Sequence, residues 1–221
     1  MNKKVVIFGV STLARLAYVY LTEDSPYEVT AFTVHEDYLK EKKLFELDLV
    51  PFERIEEIYP PEHFAMFVAI GYKRVNKARA EIYNLCKRKG YELISYISSK
   101  ASYCKHLAIG DNCFIMANTV IQPFAEIEND VIIWSGNIGY NSYIREHCYI
   151  APHAVVAGKV NVGQYSFVGA NATIREGVTI APECVIGAGA LIVNDTRTGE
   201  VYPGQKASVS IHTSSDLKSF Q

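Results

Sequence analysis

Residues Ile138–Val168 read IGYNSY IREHCY IAPHAV VAGKVN VGQYSF V, with one aliphatic side chain every six positions. The same period runs upstream through Ile133, Ile127, Ile121, Ile115 and Ile109, and downstream through Ile174, Ile180, Ile186 and Ile192. Two residues before the aliphatic the side chain is usually small: Cys113, Thr119, Ala125, Ser142, Cys148, Ala154, Ser166, Ala172, Cys184 and Ala190. Helices repeat their apolar face every three or four residues and amphipathic strands every two, so a sixfold period belongs to neither. It predicts a hexapeptide β-helix, in which each hexad is a short strand plus a turn and three hexads, about eighteen residues, close one triangular coil. The aliphatic and the small residue face inward, and each coil buries its apolar surface against the next.

One irregularity stands between Ile133 and Ile138, where Trp134-Ser135-Gly136-Asn137 leave a five-residue step. A missing residue is expected to break the pairing register, as a bulge or turn does beside a site. The single tryptophan lies in this gap and reads either as part of that site or as a surface-covering aromatic.

The chain before the repeat has a different grammar. KVVIFGV (4–10), a small-residue turn Gly9-Val10-Ser11-Thr12-Leu13-Ala14, a helical stretch to Asp24 and YEVTAFTV (27–34) predict β–turn–α–β, the opening of a nucleotide-binding type of α/β unit. A strand and a helix-sized segment follow in 44–59, then a buried strand in 63–72 ending at Gly71. A helix over 73–90 carries Lys73, Arg74, Lys77 and Arg79, which read as a diphosphate-facing cluster or as a solvated face. YELISYISSKA (91–101) reads as a last strand, with Ser98-Ser99 as the hinge into the repeat. Ser11 and Ala14 stand where dinucleotide-binding turns carry their second and third glycines. The turn therefore reads as a dinucleotide site, as plain packing, or as an anion site on the free N–H groups of the helix. His35, after the second strand, reads as a loop residue. The expected division is an α/β domain over 1–97 and a solenoid with its tail over 98–221.

The chain has 221 residues, 49% hydrophobic and 21% charged, with a net charge of −2. That balance gives no footprint for a nucleic-acid partner. No apolar run reaches the length of a bilayer span. Five cysteines show no paired spacing. Cys113, Cys148 and Cys184 fall on the small inward column and read as buried hydrophobes, which points to the cytoplasm. The last ten residues, polar and serine-rich, are expected to fray.

FGVSTLA, AIGY before a basic helix, GYELISYISSKA at the junction and the hexads co-occur in an order that resembles the bacterial sugar O- and N-acetyltransferases, grouped with the sialic acid O-acetyltransferases. The resemblance covers nearly the whole length. It implies a small Rossmann-like domain followed by a left-handed parallel β-helix, an exception to the right-handed crossover preference. It also implies a homotrimer of surface-polysaccharide biosynthesis, with acetyl-CoA as acyl donor and no metal. A nucleotide-linked sugar would be held by Gly9, Ser11, Thr12 and Gly71, although the family's acidic pair falls near Val34 and His35. Coenzyme A would be met at Gly158, Ala170 and Ala188, flanked by Gly169, Gly187 and Gly189. The stretch Thr198–Lys206 resembles the family's tail loop at the nucleotide end of coenzyme A.

The resemblance places the catalytic base two residues after an inward aliphatic, a slot that here holds Tyr140, followed by Asn141. Tyrosine ordinarily titrates near 10, so it suits hydrogen bonding to substrate or oxyanion better than proton abstraction. His147 and His153, at mid-hexad positions expected to point outward, are candidates for a displaced base or plain surface residues. Three outcomes stay open: an amine acceptor needing mainly proximity, a base from His147, His153 or a water chain, and a non-catalytic trimeric ligand-binding relative. A γ-type carbonic anhydrase would need a third metal-binding histidine, and none stands at a matching coil position.

Overall fold

The computed structural model describes residues 2–211, 213 and 214; most of the tail expected to fray lies outside them. The N-terminal part is a five-stranded sheet. Its elements are β1 (Lys3–Phe8), α1 (Thr12–Glu23), β2 (Tyr27–Val34), β3 (Lys43–Leu44), β4 (Leu47–Pro51), α2 (Ile55–Ile58), β5 (Ala65–Val68) and α3 (Lys77–Arg88). The strand order is β3-β4-β2-β1-β5. All pairings are parallel except the β3–β4 hairpin. β1 is apolar throughout because both faces are covered. Val5 and Ile7 pack with α1 and the solenoid side, and Val6 and Phe8 pack with α3. The segment expected as strand plus helix over 44–59 is a hairpin, a 3-10 turn (Phe52–Arg54) and the one-turn α2. The helix expected from residue 73 begins at Lys77, because Arg74, Val75 and Asn76 all adopt left-handed φ (54°, 51° and 64°).

The hexads fold as read. Each aliphatic is the second residue of a two-residue strand, and from Ile115 to Ile192 each is buried. Strands stack in three parallel sheets, the first, second and third being those that contain Ala108–Ile109, Phe114–Ile115 and Val120–Ile121. Pairings run eighteen residues apart, as in Ile109↔Ile127 and Val156↔Ile174. Three residues after each aliphatic the chain turns a corner in left-handed conformation: Asn112, Asn118, Phe124, Asp130, Asn141, His147, His153, Lys159, Tyr165, Asn171, Gly177, Glu183 and Gly189. Inward hydroxyls bond carbonyls of the next coil, Ser142 Oγ to Ala157 at 2.8 Å and Ser166 Oγ to Ala181 at 3.1 Å.

The five-residue step does not break register, contrary to expectation. Ile121↔Ile138, Ile127↔Ile144 and Ile133↔Ile150 still pair inward residue to inward residue. The deletion is absorbed in the corner, where Ser135 turns left-handed (φ 51°) one position early. Gly136 then fills the small inward column, and a Cβ there would stand 3.2 Å from both Ile133 and Ile150. Trp134 is partly buried against the core shared with the α/β domain.

The junction differs too. Residues 91–101 are not one strand. Leu93 bridges to Met66 in the α/β sheet, whereas Tyr96–Ile97 (β6) already pairs with Phe114–Ile115 in the solenoid. Ser98 and Ser99 are tied to the α/β half: Asp24 at the end of α1 accepts from Tyr96 Oη (2.6 Å), Ser98 Oγ (3.1 Å) and the Ser99 N–H (2.9 Å). The outward residues Phe114, Ile132 and Tyr149 of that solenoid sheet join the core beneath α1.

Candidate functional site

The carboxyl ends of β1, β2 and β5 open into a cleft of about 630 Å³, in the place where open α/β sheets bind ligands. Gly9, Ser11 and Gly71 line it, together with Val34, His35, Tyr38, Lys73 and Arg74. Thr12 opens α1 beside them. Gly9 is required by close approach: at φ +131°, a Cβ would stand 2.9 Å from the Ala69 carbonyl. Ser11 makes no side-chain cap, so the first N–H groups of α1 keep their donor capacity toward the cleft.

The expected basic face of the third helix divides in the structure. Lys77 pairs with Glu183 of the solenoid at 2.6 Å, and Arg74 pairs with Glu81. Arg79 is not exposed at all. Its guanidinium enters the solenoid corner, donating through Nη2 to the carbonyls of Asp130 (3.0 Å) and His147 (2.8 Å). Its Nε lies 3.1 Å from Asp130 Oδ2 without hydrogen-bond alignment, an ion-pair contact in a buried site. Of the cations expected at a diphosphate, Lys73 and Arg74 line the cleft, Arg74 with Glu81 beside it in the same lining.

His147 overturns the expectation of an outward imidazole. It is 4% exposed, with Nδ1 2.7 Å from Asp130 Oδ2 and its ring stacked on Tyr165 at 4.9 Å. It belongs to the clasp between α3 and the solenoid. His153 is exposed, at the corner joining the second and third sheets. Tyr140 and Asn141 occupy the corner between the third and first. The four catalytic candidates thus lie on three different edges of the prism, and only Tyr140 and Asn141 share one.

At that edge Tyr140 Oη donates to Glu176 Oε1 at 2.7 Å, spanning two coils. The ring passes over Gly158, where a Cβ would stand 2.5 Å from it. Lys159 Nζ lies 5.5 Å from the ring centroid and 3.1 Å from Glu176. Hydrogen bonds from Tyr140 and Lys159 lower the Glu176 pKa, and the Glu176 bond raises that of Lys159. Asn141 lines the adjoining groove of about 600 Å³ with Phe124, Glu126, Tyr143 and His106. Lys159 and Glu176 were not singled out from sequence; their signal was the eighteen-residue column Tyr140–Gly158–Glu176.

The expected coenzyme A positions also separate. Gly158 sits at the Tyr140 edge, whereas Ala170, Ala188 and Gly189 stack at another, with the Gly189 N–H donating to the Ala170 carbonyl at 2.8 Å. Gly169 and Gly187 answer to coil stacking: a Cβ on either would stand 2.6 and 2.7 Å from the backbone of the next coil. Gly189 meets the tail residues Tyr202, Pro203 and Gln205 in a hollow of about 430 Å³. Among the described residues no group of three His, Cys, Asp or Glu side chains gathers for a metal, and no helix is long and apolar enough to cross a membrane.

Residues 108–138 and 159–194 match the family model described as bacterial transferase hexapeptide (six repeats). This chain carries bacterial transferase hexapeptide repeats. The curated putative acetyltransferase YvoF of Bacillus subtilis (strain 168) is 36% identical over 81 residues, 37% of this chain and 46% of that protein. The chain therefore spans about half the length of the curated relative it matches. The acetyltransferase domain of PglB from Neisseria gonorrhoeae, solved with acetyl coenzyme A, superposes with a TM-score of 0.79 at 22% identity, covering 91% of this chain and 96% of that one. A mutant of perosamine N-acetyltransferase from Caulobacter crescentus, solved with CoA and GDP-perosamine, gives 0.81 at 24% identity, covering 90% and 92%. The shared fold is an α/β domain followed by a left-handed parallel β-helix, as the sequence resemblance implied.

Proposed function

We propose that this chain is an acetyl-CoA-dependent acetyltransferase acting on an amino or hydroxyl group of a nucleotide-linked sugar, working as a cytoplasmic homotrimer in surface-polysaccharide biosynthesis. The observation that carries the reading is one chain in which a cleft at the carboxyl edge of an α/β sheet is clasped to a hexapeptide solenoid through the buried Arg79–Asp130 contact. The relatives' bound molecules, acetyl coenzyme A in one and CoA with GDP-perosamine in the other, support the assignment of donor and acceptor.

In this reaction the acceptor nitrogen or oxygen attacks the thioester carbonyl, the C–S bond breaks and coenzyme A leaves as its thiol. No acyl-enzyme forms, so the buried cysteines have no part to play. The Tyr140 edge supplies position. Its hydroxyl, whose proton goes to Glu176, offers a lone pair to the N–H or O–H of the acceptor, and Lys159 fixes the carboxylate. An amine acceptor is nucleophilic once neutral, and orientation alone contributes roughly 7–11 kcal/mol. The absence of an imidazole costs on the order of 10²–10⁴-fold without removing catalysis.

A second reading, a trimeric ligand-binding relative without turnover, is favoured by one observation: the Tyr140 hydroxyl is already engaged by Glu176 and the nearest buried histidine is engaged by Asp130. Calorimetric titration with acetyl-CoA, paired with thiol release on a panel of UDP-, dTDP- and GDP-linked amino sugars, separates the two. Saturable binding with turnover establishes the transferase. Binding without thiol release on any acceptor leaves the second reading, and no binding of acetyl-CoA removes the first.

A further inference from the structure

His35 follows β2 at the rim of the α/β cleft, with its ring edge-on to Phe8 and Phe52 at 5.7 and 5.5 Å between centroids. Nδ1 stands 2.7 Å from Glu53 Oε1, and Glu53 Oε2 accepts the Glu36 backbone N–H at 3.1 Å. An ionised carboxylate only accepts, so Nδ1 carries its proton toward Glu53. The two aromatic contacts and the doubly anchored carboxylate fix the ring plane. Nε2 is left with no partner among the described residues. Around it the cleft wall is Phe8, Val34 and Ile70, with Tyr38 beside it. An oriented polar atom beside apolar and aromatic side chains is how small-molecule sites read the polar edge of a flat ligand.

The sheet order sets the rest of the layout. β2 lies on one side of β1 and β5 on the other. His35 therefore marks one end of the cleft, the uncapped start of α1 its middle, and Lys73 with the Arg74–Glu81 ion pair the far end, which leaves that end one net positive charge. Anionic groups belong at the middle and far end, where N–H groups and cations converge. The end at His35 is left for an uncharged ring.

We infer that His35 is a specificity-determining residue of this cleft: its Nε2 accepts a hydrogen bond from the lactam or imide N–H of a nucleobase such as guanine, uracil or thymine. The inference rests on reading the cleft as a nucleotide-linked-sugar site. Glu53 is the positioning residue that holds the ring for it.

The test titrates the full chain calorimetrically with UDP, dTDP, GDP, and their base-methylated forms 3-methyl-UDP, 3-methyl-dTDP and 1-methyl-GDP. For whichever parent binds, methylation weakens binding to the unaltered chain about tenfold, the scale of one net hydrogen bond. His35→Ala weakens the parent by a similar factor and binds parent and methylated forms equally, since the donor has lost its acceptor and the methyl has gained room. Equal binding of parent and methylated forms to the unaltered chain, or discrimination that survives in His35→Ala, overturns the inference while leaving the nucleotide site standing. If none of UDP, dTDP and GDP binds, the nucleotide reading of the cleft falls and the inference with it.

Discussion

Arg79 and Asp130 face each other across the two halves of the chain at 3.1 Å, with both side chains fully removed from solvent. Such a pair contributes little net stability over an apolar replacement, but breaking it strands a buried charge. Arg79→Ala is therefore expected to destabilise the protein by about 3–5 kcal/mol. Arg79→Met, which fills the space but still abandons Asp130, is expected to recover only part of that. Urea unfolding followed by tyrosine fluorescence and far-UV dichroism checks both; a loss under about 1 kcal/mol for Arg79→Ala would show that water relaxes into the site.

Asp24 makes a pH prediction. The Ser99 and Tyr96 hydrogen bonds hold its carboxyl well below the usual carboxylate range. A depressed folded-state value means that the stabilisation is complete above the unfolded value near 3.8 and is lost as pH falls through the lower folded one. Asp24→Asn should cost about 1–2 kcal/mol at neutral pH, an amount limited by solvent exposure. The gap from the unaltered chain should stay constant from pH 5 to about pH 8 and shrink below about pH 4. Chemical denaturation across that series reads it directly.

At the solenoid edge, Tyr140→Phe removes the hydroxyl and leaves the ring, and Gly158→Ala pushes the ring off its seat. Both are expected to lower kcat by about tenfold or more with little change in the KM for acetyl-CoA, the signature of lost positioning at the acceptor. Glu176→Gln is expected to do the same more mildly. Retained kcat in Tyr140→Phe would move the chemistry away from this edge.

Cysteine reactivity separates packing from chemistry. Burial pushes the Cys86, Cys113 and Cys148 thiols up to about 12, and Cys184 is likewise buried. Ellman's reagent is expected to titrate Cys104 alone in the native protein and all five cysteines after unfolding. Alkylation of Cys104 is expected to leave acetyl transfer intact, as attack without an acyl-enzyme requires.

The sixfold spacing made the solenoid legible to the residue, because period and burial are one fact in a repeat whose every coil is closed by the next. β1 was legible too, because Val5–Phe8 is an unbroken apolar run covered on both faces. The site was less so. Sequence spacing treats His147 and Asn141 alike, yet one corner is roofed by α3 and the other is open, a distinction made by tertiary packing alone. The eighteen-residue columns Asn112–Asp130–His147 and Tyr140–Gly158–Glu176 do carry the missing information, provided the one-residue step is placed in a corner. The left-handed Arg74–Asn76 turn had no signal of its own: Asn76 is held there by its amide on the carbonyls of Tyr165 and Ser166 at 2.9 and 3.1 Å, far along the chain.

Because Tyr96–Ile97 already forms a rung of the solenoid, the two halves are not modules that recombination can exchange at residue 97. A cut there leaves a donor with a dangling strand and a recipient whose first coil shows a bare edge to any passing β-strand. Grafting this cleft onto another hexapeptide scaffold calls for a seam before Tyr96, and for carrying along the partner of Arg79.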